Sequence, residues 1–228
     1  MSHNKQFTLF MQKTAVHGWK VIFILEELGL TYEKVIIDIW KNEQKAPEFT
    51  KYNPNGRTPV LIDHRNNDFV IWESNAILQY LVDKYDTGRR LSVAPGTDEY
   101  FTQLQWLYFQ GTGQSPYYGQ AIWFNLYHAE KIPSAIERYR AEVRRVLGVL
   151  EGVLSNQEWL VDGRVTVADV SFVSWNAVIG DTMIENFDFE KEFPVAAKWH
   201  NRILERPAIK KAWEERNRLW AEIQRSKD

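Results

Sequence analysis

The sequence predicts a small α/β domain followed by an all-helical domain, and three features of the hydrophobic pattern indicate this. Up to residue 85, short apolar runs of strand length alternate with runs of helical period. The segment 86–96 (DTGRRLSVAPG) is rich in turn residues and has no apolar periodicity, which is typical of a linker. From Tyr100 onward nearly every apolar run has helical period. We therefore predict domains at 1–86 and 97–228.

The first domain begins with a predicted βαβ unit. The aromatic-rich run FTLFM (7–11) predicts a strand, and GWKVIFILEELGL predicts a buried helix that Gly29 ends. The run TYEKVIID then predicts a second strand. Because a helical crossover joins the two strands, we expect them to be parallel neighbours in one sheet.

A β-hairpin and a helix complete this domain. The runs PVLID and DFVIW flank HRNN, as expected for two antiparallel strands joined by a turn. The run SNAILQYLVDKY that follows has helical period. The pair Glu73-Ser74 therefore lies where a strand ends and a helix begins, and the chemistry of that step has to be explained.

The second domain shows helical runs such as AIERYRAEVRRVLGVLEGVL and no convincing strand. Within VDGRVTVADVSF, Thr166 and Asp169 have the spacing of a capping box at the start of an apolar helix. Such a box satisfies backbone N–H groups that would otherwise lack partners. We assign this motif to folding.

Composition excludes several classes of function. A formal net charge of −2 and a pI near 6.2 provide no field that would attract nucleic acid or anionic lipid. The chain has no cysteine, and its five histidines show no metal-ligand spacing, so we expect no metal site and no thiol of its own. The start, MSHNKQF, lacks an apolar signal core and no apolar run is long enough for a membrane span. We expect a cytoplasmic protein.

Several segments resemble a known family. GRTPVLID, IWESNAI and VDGRVTVADVSF match motifs of the glutathione transferase superfamily. HGWKVIFILEELGL and SAIERYRAEVRRVLGVLE are similar to the fungal class grouped around the yeast nitrogen-catabolite regulator, and to the bacterial nu class. The match covers almost the whole chain. It implies a thioredoxin-like first domain, an all-α second domain, glutathione as substrate and a homodimer.

The resemblance implies a glutathione site on the first domain. Glu73-Ser74 takes the position that binds the γ-glutamyl end, because a helix N-terminus favours a carboxylate and a nearby carboxylate accepts an ammonium. From the residues alone, both could instead serve only as helix caps. Thr58 would hold the cysteinyl backbone ahead of Pro59, which the motif places after a cis peptide bond. The other implied contacts are Arg57 and, for the glycine carboxylate, Gln44 and Lys45.

The position that activates the thiol departs from the family. In TAVHGWK, Ala15 aligns with the usual hydroxyl residue and His17 aligns with an asparagine of the nu and fungal relatives. We predict that the His17 ring donates a hydrogen bond to the glutathione sulfur, with Thr14 as a neighbouring hydroxyl. The alternative for His17 is a half-buried loop residue that caps the helix.

These residues predict a glutathione-dependent enzyme. Without the hydroxyl, thiol–disulfide exchange (glutathione disulfide reduction or deglutathionylation) is favoured over transfer of glutathione to small electrophiles in detoxification. Tyr117, Tyr118 and Trp123 are predicted to line a pocket for an apolar second substrate. The alternatives are a non-enzymatic glutathione-binding regulator and a ligandin that stores apolar compounds.

Overall fold

The structure is a computed structural model that describes residues 4–225. Residues 1–3 of the first predicted domain and residues 226–228 of the second therefore lie outside the described part. Contacts divide the chain into two compact units. The first unit runs to Gly88 and also includes the segment from Arg206 onward, and the second unit is Arg89–Glu205.

The structure contains four strands and eleven α-helices in its described residues. The strands are β1 (Phe7–Met11), β2 (Tyr32–Ile36), β3 (Val60–Asp63) and β4 (Phe69–Trp72). The helices are α1 (Val16–Glu27), α2 (Pro47–Thr50), α3 (Ser74–Tyr85), α4 (Asp98–Phe109), α5 (Ser115–Ile122), α6 (Pro133–Leu154), α7 (Val167–Asn176), α8 (Ile179–Thr182), α9 (Phe189–Glu192), α10 (Pro194–Leu204) and α11 (Pro207–Arg225). Short 3-10 turns lie at Ile39–Lys41, Glu43–Lys45 and His64–Asn66, and π-helical turns at Gln110–Gln114 and Trp123–Tyr127.

The sheet of the first unit has the strand order β2-β1-β3-β4. β1 is parallel to β2 and antiparallel to β3, and β3 is antiparallel to β4. The predicted βαβ unit and β-hairpin are both confirmed, as is the helix after the hairpin. With its helices, this mixed sheet makes the first unit thioredoxin-like, as the resemblance implied.

Helix α1 packs closely on β1 because a glycine lies at the contact. A Cβ at Gly18 would lie 2.8 Å from Met11 Cε and 2.9 Å from Met11 Cβ, so a larger residue would push the helix and strand apart. The helix ends at Glu27 with Leu28 as its C-cap, and Gly29 follows with φ of +67°, which a glycine adopts without strain. The predicted end of this helix is therefore confirmed.

The last helix contacts the first unit, which differs from the predicted boundary of the second domain at residue 228. Helix α11 packs against α1, where the Phe23 and Trp213 rings meet edge to face with centroids 6.1 Å apart. Arg206 Nη2 also pairs with Glu27 Oε2 at 2.6 Å. The prediction of a helix from the apolar period of this segment is confirmed. An amphipathic pattern does not, however, specify which surface the apolar face of the helix will cover.

The second unit is built around α7, all ten of whose residues are buried. The predicted capping box at its start is confirmed, with Asp169 Oδ2 accepting from Thr166 N at 2.8 Å and Thr166 Oγ1 at 3.0 Å. Asp169 Oδ1 accepts from Leu160 N and from Trp199 Nε1, each at 2.9 Å. One carboxylate thus ties three chain segments together.

Between residues 4 and 225, none of the helices combines the length and apolar character needed to cross a membrane.

Replacing this carboxylate tests its contribution to stability. We expect Asp169→Ala to lower the free energy of unfolding by roughly 3–5 kcal/mol, because it leaves buried N–H groups of Leu160, Thr166 and Trp199 without acceptors. Asp188 is the matched control, since it caps α9 through Lys191 N at 3.0 Å in an exposed setting. Asp188→Ala should cost about 1 kcal/mol. Urea denaturation followed by circular dichroism measures both, and equal losses would contradict the assignment.

Candidate functional site

The sheet register brings three separate chain segments to one edge of the first unit. Phe10, near the end of β1, pairs with Val60, and Val60 pairs with Trp72. The loop after β1, the residues before β3 and the residues after β4 must therefore lie at the same edge. The predicted site residues in these segments are His17, Thr58, Pro59, Glu73 and Ser74.

Glu73 occupies the N-cap position of α3 but does not act as a side-chain cap. Its φ and ψ are 68° and 112°, and its carboxylate makes no capping hydrogen bond among the residues described. A positive φ at a residue with a Cβ costs about 1–3 kcal/mol and is retained where the surroundings enforce it. The carboxylate is exposed, whereas Ser74 is buried. The interpretation of Glu73 as only a helix cap is therefore wrong.

His17 is the second residue of α1, so it is a helix residue rather than a loop residue before the helix. Its Nδ1 lies 3.4 Å from Ser74 Oγ. Burial lowers the pKa of His17 to about 3, and the nearby positive charges of Lys20 and Arg57 lower the pKa further. The imidazole is therefore neutral at physiological pH, and it lies at the N-termini of both α1 and α3.

Thr14 is held inside the loop that joins β1 to α1. Gln12 Oε1 accepts from Thr14 N at 2.8 Å, from Thr14 Oγ1 at 3.5 Å and from Ala15 N. Thr14 is also buried, and its carbonyl oxygen accepts from Arg216 Nε at 3.3 Å. Gln12 thus holds the loop through the backbone of Thr14 and Ala15 and also contacts the Thr14 hydroxyl, and no local pattern predicts these bonds.

The peptide bond between Thr58 and Pro59 is cis, as the matched motif implied. The loop before it is braced by Asn53, whose Nδ2 donates to the Arg57 carbonyl oxygen at 2.7 Å. The backbone N–H and C=O of Thr58 make no hydrogen bond with any residue from 4 to 225. They are available to pair with an extended ligand at the sheet edge.

The turn that carries Gln44 and Lys45 packs against the same loop. A Cβ at Gly56 would lie only 2.8 Å from the Gln44 carbonyl oxygen, and Lys45 Nζ donates to Asn55 O at 3.0 Å. Gly56 has φ of +60°, so the position needs glycine for both reasons. The structure therefore brings Gln44 and Lys45 next to the segment that leads into Thr58. Arg57 is exposed, and its charge acts on His17.

Lys20 is a polar residue at this site that the sequence reasoning missed. It is fully buried, with 0% exposure, and its Nζ donates to Asn75 Oδ1 at 2.6 Å. Burial lowers the pKa of Lys20 to about 7, although the nearby Glu73 carboxylate raises it. The available signal was a lysine inside the otherwise apolar run of α1.

The three residues predicted to line a second-substrate pocket have different environments. Tyr118 is 0% exposed, and its hydroxyl donates to the Val143 carbonyl oxygen at 3.3 Å, so it is a core residue and the prediction for it is wrong. Tyr117 is half-buried with the Arg145 guanidinium 5.9 Å from its ring centroid. Trp123 is 49% exposed. The dense aromatic pattern did not distinguish core positions from surface positions.

Comparison with known families gives two matches along the chain. The profile of the glutathione S-transferase N-terminal domain matches residues 5–83, and that of the glutathione S-transferase C-terminal domain matches residues 115–207. The chain is similar to glutathione S-transferase 1 of Schizosaccharomyces pombe, with 51% identity over 223 residues covering 93% of this chain and 97% of that protein.

Solved structures show the same similarity. The glutathione transferase URE2P8 from Phanerochaete chrysosporium, crystallised with oxidized glutathione, is 64% identical with a TM-score of 0.94, covering 97% of this chain and 99% of that chain. Ure2p5 from the same fungus, cocrystallised with 1-(S-glutathionyl)-2,4-dinitrobenzene, is 47% identical with a TM-score of 0.88. The match covers 96% of this chain and 98% of that chain. Both likenesses extend over nearly the full length of the chains compared.

Proposed function

This chain belongs to the glutathione S-transferase family, and from that premise we propose that its main reaction is glutathione-dependent thiol–disulfide exchange. The observation that carries the proposal is the neutral His17 imidazole beside Ser74, where α1 and α3 begin. Ala15 stands at the position where the family resemblance places a thiol-activating hydroxyl residue. A site with a neutral donor and two helix N-termini suits a thiolate that attacks a disulfide.

Glutathione would bind along the shared edge of the sheet. Its γ-glutamyl carboxylate would meet the N-terminus of α3 and the Ser74 hydroxyl, while its ammonium would pair with the exposed Glu73 carboxylate. The cysteinyl backbone would pair with the free backbone groups of Thr58, as an added strand does. Gln44 and Lys45 would bind the glycine carboxylate, because both lie beside the loop that ends at Thr58.

The reaction needs only the thiol of glutathione and a disulfide substrate. The glutathione thiolate attacks one sulfur of the disulfide, the S–S bond breaks, and the leaving sulfur departs as a thiolate that takes up a proton. A second glutathione attacks the mixed disulfide, releasing the other thiol and glutathione disulfide. Two glutathiones are oxidised for each disulfide reduced, so no further reductant is required.

Transfer of glutathione to a small electrophile is the second candidate reaction. The similarity to Ure2p5, which was cocrystallised with a dinitrophenyl conjugate of glutathione, favours it. Of the predicted apolar contacts, Tyr117 and Trp123 remain candidates for holding such an electrophile. Rates with hydroxyethyl disulfide and with 1-chloro-2,4-dinitrobenzene compare the two reactions directly. Faster conjugation than disulfide reduction would reverse our order, and no turnover with either would favour the regulator or the ligandin.

The glutathione site can be tested at its γ-glutamyl end. We expect Glu73→Gln and Ser74→Ala each to weaken glutathione binding by roughly 1–3 kcal/mol, the range for losing a charge-assisted hydrogen bond. Titration of glutathione against intrinsic tryptophan fluorescence measures the affinity. Glu48, an exposed carboxylate in α2, is the control, and Glu48→Gln should leave the affinity unchanged. Unchanged affinity in both site variants, with the fold intact, would rule out this site.

His17 can be tested through the ionisation of the bound thiol. Since the pKa of His17 is near 3, its own titration does not affect rates between pH 5 and 9, where the thiol and Lys20, with a pKa of about 7, titrate. His17→Ala should raise the thiol pKa and slow disulfide exchange at pH 7, whereas His17→Asn, which retains an N–H donor, should keep most of the rate. Thiolate absorbance against pH measures the shift. Coincident titrations and equal turnover of wild type and His17→Ala would exclude this role.

We also propose a cytoplasmic homodimer, which rests on the family resemblance. Each unit exposes large apolar side chains that a partner subunit could cover: Trp40 at 72%, Phe101 at 60% and Tyr108 at 68% exposure. Sedimentation equilibrium should give about twice the chain mass of 26.9 kDa. A monomer at micromolar concentration would remove this proposal and leave the site proposal intact.

A further inference from the structure

Lys20 is a buried ionisable residue in the second turn of α1. Its exposure is 0%, and its neighbours in sequence from Trp19 to Leu25 are also buried. Lysine is almost never fully buried unless its ammonium is paired, because the loss of hydration is large. A lysine kept in this position needs a reason other than packing, since a methionine would fill similar space without that loss.

The Lys20 ammonium reaches the first turn of α3. Its Nζ donates to Asn75 Oδ1 at 2.6 Å, and Asn75 follows Ser74 directly in α3. Two titratable groups interact with it electrostatically. They are His17 on α1, whose pKa the Lys20 charge lowers, and Glu73 at the start of α3, whose carboxylate raises the pKa of Lys20. Arg57 before β3 acts on His17 in the same sense, and Arg216 of α11 contacts the loop before α1. Glu73 is the anion among them.

We propose that Lys20 is a positioning residue for the γ-glutamyl carboxylate of glutathione. Its hydrogen bond to Asn75 holds the first turn of α3 in place, and its charge makes that turn more positive. The inference rests on the proposed glutathione site, and it adds a residue from α1 to the γ-glutamyl end of that site, which is otherwise formed by the start of α3. Because Lys20 has no exposed surface, it acts through Asn75 and through its electric field rather than by direct contact with the ligand. The residue therefore makes the first turn of α3 both rigid and electropositive.

This arrangement couples glutathione binding to a proton. Burial holds the pKa of Lys20 near 7 in the free protein, and a ligand carboxylate at the α3 N-terminus raises it. The ligand ammonium opposes this effect weakly, because it lies at the exposed Glu73 carboxylate where solvent screens it. Below pH 7 Lys20 is protonated in both states, so affinity is constant. Above pH 7 only the complex keeps the proton, so binding takes up a proton and affinity falls by up to about tenfold per pH unit.

The probe for the test is S-methylglutathione, whose blocked sulfur removes the thiol proton from the balance. Calorimetric titrations between pH 6 and 8.5, in pairs of buffers with different ionisation heats, give both the affinity and the number of protons taken up. At pH 8, wild type should take up close to one proton more than Lys20→Met does on binding the probe. The affinity of Lys20→Met for the probe should be weaker than that of wild type at pH 6.5, and it should depend less on pH. The proton of the ligand's own amine is common to every variant and cancels in this difference.

Two further variants complete the test. Lys20→Arg keeps a charge that does not titrate, so it should lose the extra proton uptake while retaining affinity at pH 8.5. Asn75→Ala keeps the lysine but loosens the turn, so binding at pH 6.5 should weaken about three- to tenfold. Lys84→Met is the control, because Lys84 is an exposed lysine in the last turn of α3, and it should match wild type.

The outcomes separate this inference from the proposed site. Equal proton uptake and equal pH dependence in wild type and Lys20→Met would overturn the role of Lys20. If Lys20→Met does not fold, wild-type uptake no greater than that of Lys20→Arg would overturn it instead. Unchanged affinity in Glu73→Gln and Ser74→Ala would overturn the glutathione site itself, whatever the result at Lys20.

Discussion

The pairing of β3 with both of its neighbours is the constraint on which the candidate site depends. Val60 pairs with Phe10 on one side and with Trp72 on the other, so the cis peptide bond before β3 must lie between the loop after β1 and the turn after β4. A shift of the register by one residue would turn every side chain of the strand to the opposite face. The buried residues of β3 prevent such a shift, and core packing thereby determines where Thr58, His17 and Ser74 meet.

Buried polar groups in each unit are held by paired contacts that link distant parts of the chain. Asp169 joins α7 to Trp199 of α10, Lys20 joins α1 to Asn75 of α3, and Arg216 joins α11 to the loop at Thr14. Each group would destabilise the fold if its partners were removed, because an unpaired charge in the core costs several kcal/mol by the usual magnitudes. These contacts therefore specify which elements pack together, a choice that apolar surfaces alone leave open.

Local patterns in the sequence were enough to predict the four strands of the first unit, the helices α1 and α3, and the order of these elements. The alternation of strand and helix periods gave β1, α1, β2 and the hairpin, and the Thr166–Asp169 spacing gave the capping box. The resemblance then supplied the cis bond at Pro59, which a bare Thr-Pro would not predict. Properties that arise from long-range packing were not predictable. The pattern gave no sign that α11 would cover α1, that Tyr118 would be buried, or that Gln12 would hold the Thr14 hydroxyl.

The replacement of a hydroxyl residue by Ala15, with His17 nearby, changes what the site can do to a thiol. A protonated histidine would stabilise a thiolate strongly, but nucleophilicity falls as the thiol pKa falls, and the best attacking thiol has a pKa near the ambient pH. Burial and the charges of Lys20 and Arg57 keep the pKa of His17 far below neutrality, so the ring is a neutral partner. A neutral donor and helix N-termini lower a thiol pKa moderately, which leaves the thiolate both populated and reactive. The charges of Lys20 and Arg57, which add to burial in lowering the pKa of His17, would also favour an anionic ligand at Ser74. Under the proposed function, recognition of glutathione and moderate activation of its sulfur would thus share part of their electrostatic origin in this part of the fold.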